Sequence, residues 1–287
     1  MPVHLVPAVS EHVPEIGRIA YEAFKDISDR HHFPPDFPDA AFGRMITGML
    51  VAREDVYGVT ALSNGEPFGS NFLATPDDVG GVGPITVECS HQGEGIGRAL
   101  MEDVLRHARD TGVERVRLVQ DSFNMTSLAL YASLGFETKH PLAYMTAVPN
   151  EAPDPTVRPA TERDLAAVAE LSTSVYKVSR RNDVAAFMRG GPFQPFVRER
   201  GGRVVGYFTL GPIGHGVAET QDDMLALVQE AARLNPPEMR HCFCPLREGD
   251  LYRKFLEAGF RNTKVMNLMT LGPYDEPDGV WMPSVVF

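Results

Sequence analysis

The chain echoes itself over most of its length, and this duplication constrains the fold more than any single stretch does. His4-Leu5-Val6-Pro7-Ala8-Val9-Ser10-Glu11 returns as Thr156-Val157-Arg158-Pro159-Ala160-Thr161-Glu162-Arg163, with the prolines offset by 159 − 7 = 152. Gly65-Glu66-Pro67-Phe68-Gly69 returns as Gly202-Arg203-Val204-Val205-Gly206 at an offset of 137. Beyond that the offset is 124: Glu114 falls on Glu238, Gly135-Phe136 on Gly259-Phe260, and Met145-Thr146 on Met269-Thr270. A period this long indicates duplicated domains and not a solenoid, and 287 residues suffice for two separate cores. Pro149-Asn150-Glu151-Ala152-Pro153-Asp154-Pro155 reads as a polar, proline-stiffened linker. The expected partition is residues 1–148, a linker at 149–155, and residues 156–287.

Within the first copy, Gln92-Gly93-Glu94-Gly95-Ile96-Gly97-Arg98 lies between the apolar Ile85-Thr86-Val87 and an amphipathic helical pattern. Glycine lets backbone approach an anion closely, and the unpaired N–H groups of a following helix point at it along the positive end of the dipole. The dinucleotide fingerprint would need a third glycine at 98 or 100, where Arg98 and Leu100 stand. The P-loop would need Lys then Ser or Thr, where Arg98-Ala99 stand. Taken alone, the stretch reads equally as a glycine-rich turn entering a helix. Downstream, Asn124 and Tyr131 are followed by Gly135-Phe136, and by spacing alone Tyr131 would be a core residue with a polar tip.

The Gln-x-x-Gly-x-Gly stretch after a strand resembles the loop that N-acetyltransferases of the GNAT family wrap around the pyrophosphate of acetyl-CoA. The Asn124 to Phe136 stretch resembles the second GNAT signature. This resemblance implies an α/β fold of two tandem GNAT-like domains, each a central mixed β-sheet flanked by helices, with acetyl-CoA as cosubstrate. It places Val87, Cys89, Gln92, Gly93, Glu94, Gly95, Ile96, Gly97, Arg98 and Asn124 against the cofactor. Tyr131 then lies beside the thioester sulfur as a general acid, a role worth roughly 100- to 10,000-fold. A backbone N–H near Val87 or Cys89 becomes the oxyanion donor, and Cys89 stands where the family often has Pro. The strands holding Val87 and Leu118 are expected to splay apart around the pantetheine arm.

The second copy lacks this chemistry. At the 124 offset Gln92 to Gly97 falls on Gly216-Val217-Ala218-Glu219-Thr220-Gln221, without the glycines in place, and Thr220 with Asp222 and Asp223 reads as a capped helix start that repels phosphate. Asn124 falls on Glu248 and Tyr131 on Phe255. The first copy is expected to be catalytic and the second to be structural or acceptor-shaping. The falling offset also implies insertions in the first copy: 152 − 137 = 15 residues between Pro7 and Gly69, and 137 − 124 = 13 between Gly69 and Gln92. The first contains Asp29-Arg30-His31-His32-Phe33-Pro34-Pro35-Asp36-Phe37-Pro38, read either as an acceptor-pocket wall, with His31, His32 and Asp36 orienting a polar group, or as a surface loop.

Periodicity predicts strands near 3–9, 56–63, 66–75, 83–89, 114–121 and 136–148, and helices near 11–27, 38–49, 96–110 and 125–134. The base that takes the amine proton is open among Glu88, Asp121, the C-terminal carboxylate of Phe287 and water, and Glu88 reads equally as a solvated strand-end residue. The net charge of 27 − 38 = −11 lacks a nucleic-acid footprint and suits a cationic acceptor, a small-molecule or peptide amine. The three cysteines cannot all pair, Cys242-Phe243-Cys244 is too tightly spaced for a zinc pair, and no metal is expected. No signal peptide or long apolar run appears, so a cytoplasmic protein without a membrane partner is expected, its state left open between monomer and homo-oligomer. The two functions in play are N-acetyl transfer to a primary amine and an acyl-CoA-binding sensor or partner-binding protein.

Overall fold

The computed structural model describes residues 3–189 and 193–286 of an α/β protein in which β-sheets are flanked by helices. Backbone contacts divide it into two compact units: Met1–Thr75, Gly80–Val116 and Phe123–Gly135 form unit 1, and Pro76–Val79, Arg117–Ser122 and Phe136–Phe287 form unit 2.

In unit 1, β1 (His4–Pro7), β2 (Val56–Ser63) and β3 (Glu66–Ala74) form an antiparallel meander. The far end of β3 pairs with β4 (Val79–Val82), and its middle pairs with β5 (Thr86–Val87). The expected strand at 83–89 is thus only two residues of β5, because the chain turns through Cys89–His91 immediately afterwards. β4, hidden in the sequence by Val79-Gly80-Gly81-Val82, occupies the second insertion. Helices α1 (Val13–Arg30) and α2 (Ala40–Val51) cross where Gly17 meets Gly43. Helix α3 (Ile96–Asp110) buries Ile96, Leu100, Met101, Val104, Leu105 and Ala108 in one apolar stripe, the face expected of it. Helix α4 (Met125–Ser133) follows β6 (Arg115–Asp121).

Unit 2 repeats the meander as β8 (Val157–Pro159), β9 (Pro195–Arg200), β10 (Arg203–Thr209) and β11 (Gly216–Ala218), with helices α5 (Leu165–Tyr176), α6 (Arg181–Met188) and α7 (Gln221–Leu234). The glycines matched by sequence do the same job in both copies. Gly69 opposes Val87 and leaves room for the β5 backbone and Leu100; Gly206 opposes Ala218 and leaves room for the β11 backbone and Leu227. This equivalence corrects one sequence alignment. Gly216–Ala218 is the counterpart of β5 and not of the glycine loop. Between strand and helix the first copy has residues 88–95, whereas the second has only Glu219 and Thr220. The loop is deleted there, not merely substituted.

The remaining strands are interleaved. β7 (Glu137–Thr146), from the first copy, is flanked by two strands of the second, β12 (His241–Pro245) and β13 (Arg261–Leu271), both antiparallel to it. β13 in turn lies between β6 and β7. Helix α8 (Gly249–Glu257) follows β12 as α4 follows β6. Finally β14 (Val280–Met282) pairs with β11 and packs on β12, and the Tyr176 hydroxyl reaches the carbonyl oxygens of Gly216 at 3.0 Å and Met282 at 2.9 Å. Segment 149–155 is not loose: the Asp154 amide donates to Glu230 on α7 at 3.2 Å. Cys242 and Cys244 share one face of β12 as buried, unpaired thiols, and burial pushes both up from the usual thiol range.

Candidate functional site

The glycine loop and Tyr131 both belong to unit 1. Gly93 and Gly95 adopt φ near +85°, a left-handed conformation that other residues reach only at a cost, and a Cβ on either would meet nothing within 4 Å. Gly95 is the N-cap of α3 and offers no side chain to its amides, and the first turn carries no carboxylate. The first amides of a helix have no intrahelical acceptor, and here neither the cap nor a first-turn carboxylate answers them. In α7 the equivalent end is already capped: the Asp223 amide donates to Thr220 Oγ1 at 3.1 Å, and Asp222 and Asp223 occupy the first turn.

The loop is anchored at both ends. Gln92 Nε2 donates to the Val87 carbonyl at 3.2 Å, and the Glu88 amide donates to the Phe68 carbonyl at 2.9 Å, which commits that amide to the sheet. Beyond the loop, Arg98 Nη2 donates to Ser133 Oγ at 2.7 Å, and a Cβ at Gly97 would stand 3.6 Å from Leu130. Both partners are on α4, flanking Tyr131, which is only 6% exposed. The structure therefore brings the amide-bearing end of α3 and the helix of Tyr131 together. Asn124 caps α4, its Oδ1 accepting from the Ser127 amide at 3.1 Å. Glu94 is exposed, 3.5 Å from the His91 ring.

The carboxylates considered as bases differ sharply in their surroundings. Arg18 Nη2 holds Glu88 at 3.0 Å while also binding Glu15 and Glu22 on its own helix. Arg18 is itself held above its ordinary range by these three partners, first Glu15, then Glu22 and Glu88. Asp121 is buried in unit 2 and ion-paired with Lys264 at 2.7 Å. The Phe287 carboxylate lies outside the described residues. Cys89 is exposed, and partial burial with the nearby Asp26 and Glu22 raises its thiol, so it is not a ready thiolate. The sequence reading missed Arg18 and Ser133; the Glu15-Arg18-Glu22 spacing was the signal for the first.

The first insertion is an aromatic turn. Phe33 stacks on Phe123 with centroids 4.4 Å apart, His31 lies 5.0 Å from the same ring, and His31 Nδ1 is 2.9 Å from the Ile27 carbonyl. Phe123 immediately precedes Asn124, so this turn is fixed to the start of α4. His32 is exposed at φ 60°, and Asp36 is half-buried.

The family model described as the acetyltransferase (GNAT) family matches residues 18–136. The mycothiol acetyltransferase of Thermomonospora curvata is 46% identical over 61 residues, 21% of this chain and 20% of that protein. That of Thermobifida fusca is 32% identical over 134 residues, 45% of this chain and 37% of that protein. The chain thus spans about two-fifths or less of these relatives' length. Among solved structures, a candidate acetyltransferase of Pyrococcus horikoshii superposes with a TM-score of 0.80 at 16% identity, over 99% of this chain and 94% of that one. A tandem GNAT protein from the clavulanic acid biosynthesis pathway superposes at 0.59, again at 16% identity, over 96% and 100%. At these identities the likeness is one of fold. No helix among the described residues is long and apolar enough to cross a membrane.

Proposed function

We propose that the protein, whose residues 18–136 match the acetyltransferase (GNAT) family model, transfers an acetyl group from acetyl-CoA to a primary amine. The observation that carries this reading is the open, uncapped start of α3 at Gly95, packed against the helix of Tyr131. The loop from Gln92 to Arg98 receives the pyrophosphate on its amides. Val87 and Cys89 line the pantetheine, and Asn124 contacts the arm with what its capping role leaves.

The acceptor nitrogen attacks the thioester carbonyl carbon, the C–S bond breaks as the tetrahedral intermediate collapses, and Tyr131 protonates the departing thiolate. The ammonium proton leaves to solvent through Glu88. The same carboxylate, ion-paired with Arg18, also attracts a cationic acceptor. Tyr131→Phe should retain acetyl-CoA affinity while thiol release falls by roughly 100-fold. Equal turnover would remove the acid assignment; acetyl-CoA binding without turnover over an amine panel would make the protein a sensor.

One acetyl-CoA site per chain is part of this reading. The second copy has two residues where the loop should be, a side-chain cap where the amides should be open, and β14 seated on β11 and β12. Calorimetric titration of the full chain should give one equivalent; two would overturn the assignment.

A further inference from the structure

A single guanidinium, that of Arg18, joins two elements of unit 1. Arg18 lies in the second turn of α1, with Glu15 three residues before it and Glu22 four after, the spacings at which side chains on a helix meet. Its Nε donates to both Glu15 oxygens at 3.1 Å, its Nη2 to Glu15 Oε1, and its Nη1 to Glu22 Oε2. Every nitrogen of the guanidinium is thus engaged within α1, and a planar fork held at all three corners cannot rotate. The second Nη2 hydrogen reaches across 70 residues of sequence to Glu88 Oε1, at 3.0 Å. The entropic cost of ordering a long side chain is met inside α1, before Glu88 is engaged.

Glu88 is fixed from its backbone side as well. Its amide donates to Phe68 in β3, and it stands between Val87, the last residue of β5, and the turn Cys89–His91. With the backbone tied to the sheet and Oε1 committed to Arg18, the two carboxylate oxygens are no longer equivalent. Oε2 accepts no hydrogen bond among the described residues: His91 Nε2 stands 3.8 Å from it, beyond hydrogen-bond reach, and His91 Nδ1 faces Glu94 at 3.5 Å. The Arg18 and Glu88 side chains are 34% and 30% exposed, and an ion pair that open contributes little to folding. Its consequence is orientation. We propose that Arg18 is the positioning residue of Glu88, committing Oε1 so that Oε2 is the oxygen that receives the acceptor's proton. This rests on the reading of Glu88 as the proton's exit. The proton passes from the acceptor nitrogen to Oε2 and from there to solvent, and no bond to Arg18 changes.

Thiol release by the full-length protein, with an amine that it acetylates, tests this in a double-mutant cycle of Arg18→Met and Glu88→Gln. Glu88→Gln should lower kcat about 100-fold, the lower end of what a positioned proton acceptor contributes. Arg18→Met should lower it about tenfold, since a displaced group costs less than an absent one. KM for the amine should not rise, because loss of a cation favours a cationic acceptor. In the Glu88→Gln background, Arg18→Met should have no further effect. Arg18→Lys, which keeps the charge and loses the fork, should resemble Arg18→Met. Equal losses from Arg18→Met in both backgrounds would overturn the proposal and leave Glu88 its role. Full turnover in Arg18→Lys would do the same, by making the effect one of charge alone. A fall in turnover matched by weaker acetyl-CoA binding would reduce Arg18 to a tie between α1 and β5, again overturning the proposal. Unchanged turnover in Glu88→Gln would remove the proton exit, and the positioning role with it, without touching acetyl transfer. Absence of turnover with every amine would overturn the acetyl-transfer reading itself, and this proposal with it.

Discussion

At residue scale, the protein uses the same chemical group to open one helix and close another. Gly95 leaves the α3 amides bare, whereas Thr220 fills those of α7. Gly95→Ala should cost about 1–2 kcal/mol, because φ near +85° is strained for alanine although its Cβ meets nothing. Denaturant unfolding should show that loss alongside weaker acetyl-CoA binding; weaker binding with unchanged stability would contradict it. A second residue-scale effect lies in the core of unit 2, where His215 Nε2 is 3.3 Å from Asp183 and Nδ1 is 3.3 Å from the Tyr207 hydroxyl. Burial, reinforced by Arg180, lowers the His215 pKa to about 4, while Asp183 opposes the shift. An unfolded histidine titrates near 6.5, so between those values the unfolded chain binds the extra proton, and stability falls as pH drops through that window by about 2–3 kcal/mol. Asp183, held low by His215 and Arg180 against the cost of its burial, loses its contribution in the same direction at still lower pH. Urea midpoints should decline from pH 7 to pH 4.5, and His215→Gln should flatten that slope.

At the scale of elements, packing decides what pattern alone leaves open. Helix α3 was legible to its ends because its apolar stripe is uninterrupted and the glycines before it mark its start. β4 was not, since two of its four residues are glycine and its burial comes from β3, a neighbour that local pattern does not reveal. The α1–α2 crossing was equally hidden. A Cβ on Gly43 would stand 2.3 Å from the Gly17 carbonyl oxygen, so Gly43→Ala must push the helices apart. Alanine gains up to about 1 kcal/mol in helix propensity, yet overpacking costs about 1–3, and net destabilisation by thermal unfolding is expected. The candidate site was legible as a set of residues in Gln92–Arg98 and Tyr131; the contacts joining them, Arg98 to Ser133 and Gly97 to Leu130, were not, because side-chain partners on another helix leave no local trace.

At the scale of the whole molecule, the duplication was plain in sequence but the exchange of strands was not. Both copies run strand, helix, strand in the same order, and nothing local says that β7 will pair with β12 and β13. A cut at residue 148 strips both β7 and β13 of their two neighbours. Fragments 1–148 and 156–287 made separately should therefore be unfolded or aggregated, and should regain native circular dichroism only when refolded together; independent folding of either would be the contrary result.

The place of β13 between two strands of the other copy also governs what inheritance can do with this gene. A silent half joined by a flexible tether could be shed by a single stop codon without harm. Here truncation would remove a strand from the middle of the sheet that the first copy depends on, so the second copy is retained by selection on the first.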